Sequence, residues 1–275
     1  MVRNVLNHTT GLLPESDCPI QHFERSANAG HSLIKYIDDH IDPNDIYEAV
    51  YERHLGHLRR MAMAELIESF ERFLKELASL CLDCLAPYAV DDRFDEFMPK
   101  GERIGAFVNA QSIGKALCES DTWLKNKTIS ERFKVLLQHH FGDKWENLFP
   151  EPNQLPVAER ERAKTLSILW QIRHNLAHNV GVITHSDSMK FRVLIGGAVG
   201  ADCRLTPSID DLRYVKRFLT ETANHTNQRV GTRLADVLTN FHQADPTLFD
   251  AQEKANEISA RFARSLTVSL QAGVL

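Results

Sequence analysis

The sequence predicts an all-α protein, a helical bundle with one small β-like insertion around residues 189–206. Three observations indicate this fold class. Long stretches repeat apolar residues at the three- and four-residue spacing of helices. Caps such as Ser208 and prolines such as Pro43 stand where these stretches begin, as helix N-termini prefer. Only the stretch around Gly196 breaks the helical pattern with a dense Phe, Val and Ile run, which favours a hairpin or extended excursion.

The composition is ordinary for a soluble globular protein, with 43% hydrophobic and 25% charged residues in 275. No stretch approaches the run of about 18 apolar residues that crosses a bilayer. The N-terminus also lacks the basic and then apolar regions of a secretion signal. We therefore expect a cytoplasmic protein without a membrane partner.

The five cysteines are scattered, and only Cys81 and Cys84 form a CxxC spacing. A structural zinc site needs a second such pair, and the sequence has none. Both cysteines fall within a leucine-rich helical pattern, which favours buried thiols in a reducing cytoplasm. We expect neither a bound metal nor a cofactor.

The net charge of −5 argues against a protein that binds nucleic acid over its whole surface. The charge is unevenly distributed, however, because residues 125–233 hold 17 lysines and arginines against 11 acids. Residues 1–124 hold 12 against 21. This local basic excess permits an anionic ligand such as a phosphate backbone, although a solvated basic face gives the same count.

The first half of the chain divides into an irregular N-terminal arm, residues 1–43, and a long helix from about Asn44 to Leu85. The arm holds at most a short helix near residues 32–39. One apolar stripe of the long helix comprises Leu66, Phe70, Phe73, Leu77, Leu80 and Cys84. Glu71 interrupts a second stripe beside it, and an acid on an apolar face needs a partner or water. A water-exposed helix edge is the favoured interpretation for Glu71.

Further helices are predicted over residues 102–119, 129–141, 157–179 and 208–241, and from Asp245 to about Leu270. Gly181 is the expected stop of the helix over 157–179. We expect residues 44–243 to form one helical domain and residues 244–275 to pack against it as a C-terminal helix.

The end of the helix over 157–179 concentrates polar chemistry in the stretch RHNLAHN, directly after an apolar run. Arginine stays charged and offers a planar fork to phosphate oxygens. Histidine accepts or donates protons near neutral pH. Arg173 and His178 are therefore the main candidate catalytic residues, and His174 and Asn175 are assisting candidates.

This stretch resembles the R-x4–6-H motif of the HEPN superfamily, helical domains that include RNA-cleaving toxins and antiviral effectors. Glu71, within the apolar pattern of the long helix, is similar to an acid found in many members. The resemblance covers roughly residues 45–243. His174 is one departure, because many members have Asn or Asp directly after the arginine. The arm and the insertion at 182–206 are also not core parts of that domain.

The resemblance implies a metal-independent endoribonuclease in a toxin–antitoxin or antiviral defence setting. The RNA 2′-hydroxyl would attack the phosphate and leave 2′,3′-cyclic phosphate ends. His178 would act as general base or acid, Arg173 would stabilise the phosphate, and Glu71 would support them. A homodimer with paired motifs is implied, as is an antitoxin or effector partner.

Helix geometry bears on the dimer, because residues five apart on an ideal helix are separated by about 140°. Arg173 and His178 therefore do not share a face. Either the helix frays at Ala177, or two chains each bring a motif to one cleft.

Two other functions remain open. His174 and His178 share a helix face at a spacing used by zinc sites, with His185 or Asp187 as the available third ligand. The second open function is a non-catalytic module that binds RNA, a nucleotide or another protein. In that module Arg173 and His178 only support the structure.

Overall fold

The computed structural model describes residues 18–40, 48–88, 123, 125–138 and 157–269, and within these ranges helices dominate. The all-α prediction is confirmed. The elements are α1 (Pro19–His40), α2 (Glu48–Leu85), α3 (Asn126–Gln138), α4 (Val157–His178), β1 (Val182–Ile183), α5 (His185–Ile195), β2 (Cys203–Arg204), α6 (Ile209–Ala244) and α7 (Ala251–Phe262). In the described ranges, no helix combines the length and apolar character needed to span a membrane.

Helix α2 is the centre of the bundle, because α1, α3, α4 and α6 all pack against it. It runs without a break through Gly56 for 38 residues and ends at Leu85, two residues before Pro87. Both apolar stripes predicted on it are buried. Cys81 and Cys84 lie within the core, and burial raises the pKa of Cys84 to about 11. The prediction of buried thiols is thus confirmed.

The expected irregular arm is wrong for residues 19–40, which form the 22-residue helix α1. Its buried residues Phe23, Ala27 and Ile34 repeat at helical spacing and pack against α2. The intervening polar residues and Gly30 make the apolar repeat too sparse to be recognised from the sequence. Gly30 instead permits a close approach, since a Cβ there would lie 3.0 Å from Oε2 of Glu65. Residues 1–17 and 41–47, including the predicted helix start near Pro43, lie outside the described residues.

Helix α4 packs its apolar side against α2, with the rings of Phe70 and Trp170 5.9 Å apart. The indole N–H of Trp170 donates to Oδ1 of Asn126 at 3.0 Å, which ties α4 to α3. This packing presents the C-terminal turn of α4 at one end of the bundle. The helix predicted over 102–119 lies outside the described residues.

The small β element pairs Val182 with Arg204 and Ile183 with Cys203 in an antiparallel ladder. The predicted β-like insertion is therefore present, but residues 189–195 within it are helical. Helix α5 begins at a capping box of Thr184 and Asp187 and ends at Gly196, where φ is +75°. Only one face of α5 is buried. Within its Phe, Val and Ile run, Phe191 is buried but Val193 and Ile195 are exposed, so the run does not follow a helical stripe and suggested a strand.

The N-cap predicted at Ser208 is confirmed, because its hydroxyl accepts from the backbone N–H of Asp211. The last helix is shorter than predicted and spans Ala251–Phe262. It starts after Asp250 because Pro246 lies in a turn in which Asp245 accepts hydrogen bonds from Thr247. Helix α7 packs on α6 and α1.

Candidate functional site

Arg173 lies on the side of α4 that faces α2. Its Nε is 3.6 Å from Oε1 of Glu68, and its Nη2 is 3.9 Å from Oε2 of Glu71. Both distances exceed the usual hydrogen-bond length. Its side chain keeps 22% exposure. The two carboxylates therefore attract the guanidinium without consuming its N–H donors.

Glu71 is buried, with 8% of its surface exposed, so the water-exposed helix edge expected for it is wrong. Its Oε1 lies 3.0 Å from Nζ of Lys75, one turn along α2. Packing of α4 against α2 covers this part of the second stripe, and the positive charges of Lys75 and Arg173 compensate the buried carboxylate. The structure thus brings Glu71 and Arg173 together.

His174 and His178 are both exposed, on a different side of the same helix end from Arg173. Their ring centroids are 4.7 Å apart, with 48° between the ring planes. Helix α4 continues through Ala177 to His178, so the fraying considered from the sequence does not occur. Within one chain, Arg173 and His178 therefore stay on different faces.

Asn175 is fully buried beneath these residues. Its backbone carbonyl accepts from the N–H groups of Asn179 and Gly181, at 3.0 and 2.9 Å, and so closes the helix. Its Oδ1 accepts a long hydrogen bond of 3.4 Å from Nδ2 of Asn179. Its Nδ2 has no hydrogen-bond partner among the described residues. Full burial places the Asn175 amide behind the surface that a phosphate reaches.

Asp187 fixes the segment that follows the motif helix. Its carboxylate accepts from Asn179 at 2.9 Å, from Gln171 at 2.9 Å and from the hydroxyl of Thr184 at 2.6 Å. Burial alone would raise the pKa of Asp187. Hydrogen bonds from Thr184 and the nearby charge of Lys190 outweigh burial and hold this pKa below its usual value. Asp187 is thus an anionic anchor that joins α4 to α5.

Two arginines that sequence reasoning missed flank the loop after α4. The stem of Arg60 covers Gly181, where a Cβ would lie 3.0 Å from its Cδ. Gly181 has φ of +79° and is the helix stop that the sequence predicted. Arg204 lies opposite Val182 in the β ladder. Burial first, and the nearby charge of Arg204 second, lower the pKa of Arg60. Arg60 in α2 and Arg204 in β2 are far apart in the chain, and no sequence signal pairs them.

The residues considered as third ligands for a metal site at His174 and His178 are engaged elsewhere. His185 pairs with Asp202, with Nε2 3.3 Å from Oδ2. Asp187 is buried in the network described above. Across the ranges that the structure describes, no group of three or more His, Cys, Asp or Glu side chains has metal-binding geometry.

Comparisons with known proteins give no relative on which to base a function. No family model matches the chain, and neither does any curated protein or solved structure. The resemblance to the HEPN superfamily therefore rests on the residues themselves.

Proposed function

We propose that the chain is a metal-independent endoribonuclease whose site is built on the C-terminal turn of α4. One observation carries this proposal. Glu68 and Glu71 lie beside Arg173 at distances too long for hydrogen bonds. Its Nε is buried, but the side chain keeps 22% exposure, so the rest of the guanidinium stays available for a phosphate. The exposed imidazole of His178 lies five residues later, at the end of the same helix.

These groups suit cleavage by an internal nucleophile. A histidine base takes the proton of the 2′-hydroxyl, and the 2′-oxygen attacks phosphorus. Arginine stabilises the additional negative charge of the five-coordinate phosphate. The 5′-oxygen then leaves with a proton from a histidine acid, and a 2′,3′-cyclic phosphate remains. DNA is not cleaved, because it lacks the 2′-hydroxyl.

We assign His178 as the general base or acid and Arg173 as the phosphate-stabilising residue. His174 assists from the same exposed face, where its ring lies 4.7 Å from that of His178. Asn175 is a positioning residue, because it is fully buried and its carbonyl fixes the helix end. Glu71 supports the site by attracting Arg173.

A homodimer supplies what one chain does not, because Arg173 and His178 lie on different faces of an unfrayed helix. In a two-fold dimer, Arg173 of one chain and His178 of the other complete each site. Exposed apolar residues follow the motif directly: Val180 is 67%, Met189 60% and Val193 81% exposed. They provide a contact surface for the second copy.

The biological setting follows from the resemblance alone. Many similar helical domains act in toxin–antitoxin or antiviral systems, so we propose a defence role in which an antitoxin or effector partner restrains the activity.

Product analysis tests the proposed reaction. Purified wild-type protein and His178→Ala are incubated with end-labelled RNA in EDTA, and the product ends are resolved. We expect cleavage by the wild type only, with 2′,3′-cyclic phosphate and 5′-hydroxyl ends. Loss of cleavage on adding EDTA would favour the metal site, and equal cleavage by both proteins would remove His178 from the mechanism.

A non-catalytic binding module is the second candidate, and the same ion pairs favour it. Arg173 beside Glu68 and Glu71 also suits a purely structural contact between α2 and α4. RNA binding by wild type without cleavage under any of these conditions would support this alternative.

A further inference from the structure

Two arginines from separate elements meet beside the candidate site. Arg60 comes from α2, and its stem lies over Gly181 and near Leu176, since a Cβ at Gly181 would contact both. Arg204 comes from β2, opposite Val182 in the ladder. The next residue, Leu205, donates its backbone N–H to the carbonyl of Gly181 at 2.8 Å. Gly181 therefore lies beside the Arg60 stem and is hydrogen-bonded to the residue that follows Arg204.

The same glycine links this pair to the motif helix. The N–H of Gly181 donates to the carbonyl of Asn175 at 2.9 Å. Gly181, beside which both arginines lie, is thus within about one helical turn of His178 along the chain.

Among the described residues, no acid compensates the two guanidinium groups. In the part of the chain that the structure describes, neither Arg60 nor Arg204 forms an ion pair or a side-chain hydrogen bond. Burial, and after it the nearby charge of Arg204, lowers the pKa of Arg60. Two like charges close together repel each other, and an anion bound between them relieves this repulsion. The C-terminal dipole of α4 attracts one cation, but it does not explain a second on β2.

We propose that Arg60 and Arg204 form a binding site for a backbone phosphate of single-stranded RNA, adjacent to the phosphate that is cleaved. This inference rests on the proposed function for the identity of the ligand. Arginine suits the role because its fork binds phosphate oxygens with two parallel hydrogen bonds. The site holds the strand on the flank of α4, so that the scissile phosphate reaches Arg173 and His178.

The salt dependence of RNA binding tests this site. The probe is a fluorescent single-stranded 2′-O-methyl RNA, which has no free 2′-hydroxyl and is not cleaved. Binding is measured by anisotropy across a salt series for wild type, Arg204→Gln and the double variant Arg60→Gln/Arg204→Gln. Arg160→Gln is the matched control. It removes the same charge, but this exposed arginine lies at the opposite end of α4.

We expect the double variant to bind at least about tenfold more weakly at low salt. Its log–log salt slope should be shallower by roughly 0.7, because the pair neutralises one phosphate and each neutralised phosphate of a single strand contributes about 0.7. Arg204→Gln should lower the slope by about half as much. This residue is exposed, so the variant tests the site even if Arg60→Gln disturbs folding. Arg160→Gln should bind like wild type.

Three results would overturn the inference: no RNA binding by wild type, unchanged slopes in the arginine variants, or an equal change in Arg160→Gln. Cleavage of unmodified RNA by wild type is measured in a separate assay. RNA cleavage with unchanged slopes would reject only the arginine site. Reduced slopes without cleavage by wild type would reject only the nuclease.

Discussion

Nη2 of Arg173 lies 3.9 Å from Oε2 of Glu71, across the seam between the motif helix and the central helix. Glu71 is buried and also pairs with Lys75, whereas the second carboxylate beside Arg173, that of Glu68, is about half exposed. The two acids therefore attract the same guanidinium from different dielectric environments. Removal of each acid should change the free energy of unfolding by a different amount.

Glu71→Gln should lower the free energy of unfolding by about 1–3 kcal/mol, because it leaves the partly buried cations Lys75 and Arg173 without this buried carboxylate. Glu68→Gln should cost less than about 1 kcal/mol, as expected for an exposed ion pair. Urea unfolding of both variants measures the difference. Equal losses would show that burial of Glu71 does not govern this contact.

His178→Ala should abolish RNA cleavage while leaving the helical content and the melting temperature close to those of wild type, since the side chain is exposed. Arg173→Lys should also be severely impaired, because lysine keeps the charge but loses the planar fork. Cleavage is measured with labelled RNA in EDTA. His185→Ala, an exposed histidine nearby, is the control and should cleave normally. Its inactivation would instead point to a metal site that includes His185.

A mixture of Arg173→Ala and His178→Ala, each inactive alone, should recover about a quarter of wild-type activity. Half of randomly exchanged dimers are mixed, and each mixed dimer holds one site with an intact arginine and an intact histidine. The chains are mixed under conditions that allow exchange, and cleavage is then assayed. If both variants form dimers and exchange but recover nothing, each site belongs to a single chain.

Asp187→Asn should destabilise the protein at neutral pH by about 1–3 kcal/mol, because the anion accepts hydrogen bonds from Asn179, Gln171 and Thr184. The pKa of Asp187 is lowered in the folded chain. Its stabilising contribution is therefore complete above the unfolded pKa of about 4 and is lost as pH falls through the folded pKa.

Thermal unfolding of wild type and Asp187→Asn across a pH series checks the direction of this pH dependence. The difference between the two melting temperatures should narrow below pH of about 4. A difference that widens in acid would mean that the carboxylate is not held as an anion.

Gly181→Ala should destabilise the chain more than Gly196→Ala. Both glycines have positive φ, +79° and +75°, so each substitution costs about 1–2 kcal/mol of backbone strain. Only at Gly181 does the new methyl group meet the stem of Arg60, whereas nothing lies within 4 Å of a Cβ at Gly196. Chemical unfolding should show about 1 kcal/mol or more of additional loss at Gly181. Equal losses would show that Arg60 moves aside without cost.

Sequence patterns predicted what depends on local spacing. The stripes of α2, the stop at Gly181 and the cap at Ser208 follow from helical periodicity and capping chemistry, and the structure confirms all three. Helix α1 was missed because polar residues and Gly30 dilute its stripe, and its partner on α2 lies at a remote position in the sequence. The pattern Thr184-x-x-Asp187 is a capping box, and its spacing is recognisable in the sequence.

The candidate site is only partly predictable for the same reason. The stretch from Arg173 to His178 is contiguous, so its chemistry is visible in the sequence. The burial of Glu71 and the meeting of Arg60 with Arg204 depend on how α2, α4 and the β ladder pack. Such contacts between distant segments leave no trace in spacing or composition.

The packing of α1 along α2 has a practical consequence for anyone preparing the protein. A polypeptide begun at residue 44, where the sequence pattern places the domain boundary, would uncover the side of the central helix against which Phe23, Ala27 and Ile34 pack. Such an apolar strip invites self-association, so the shortened polypeptide should precipitate where the longer one stays in solution.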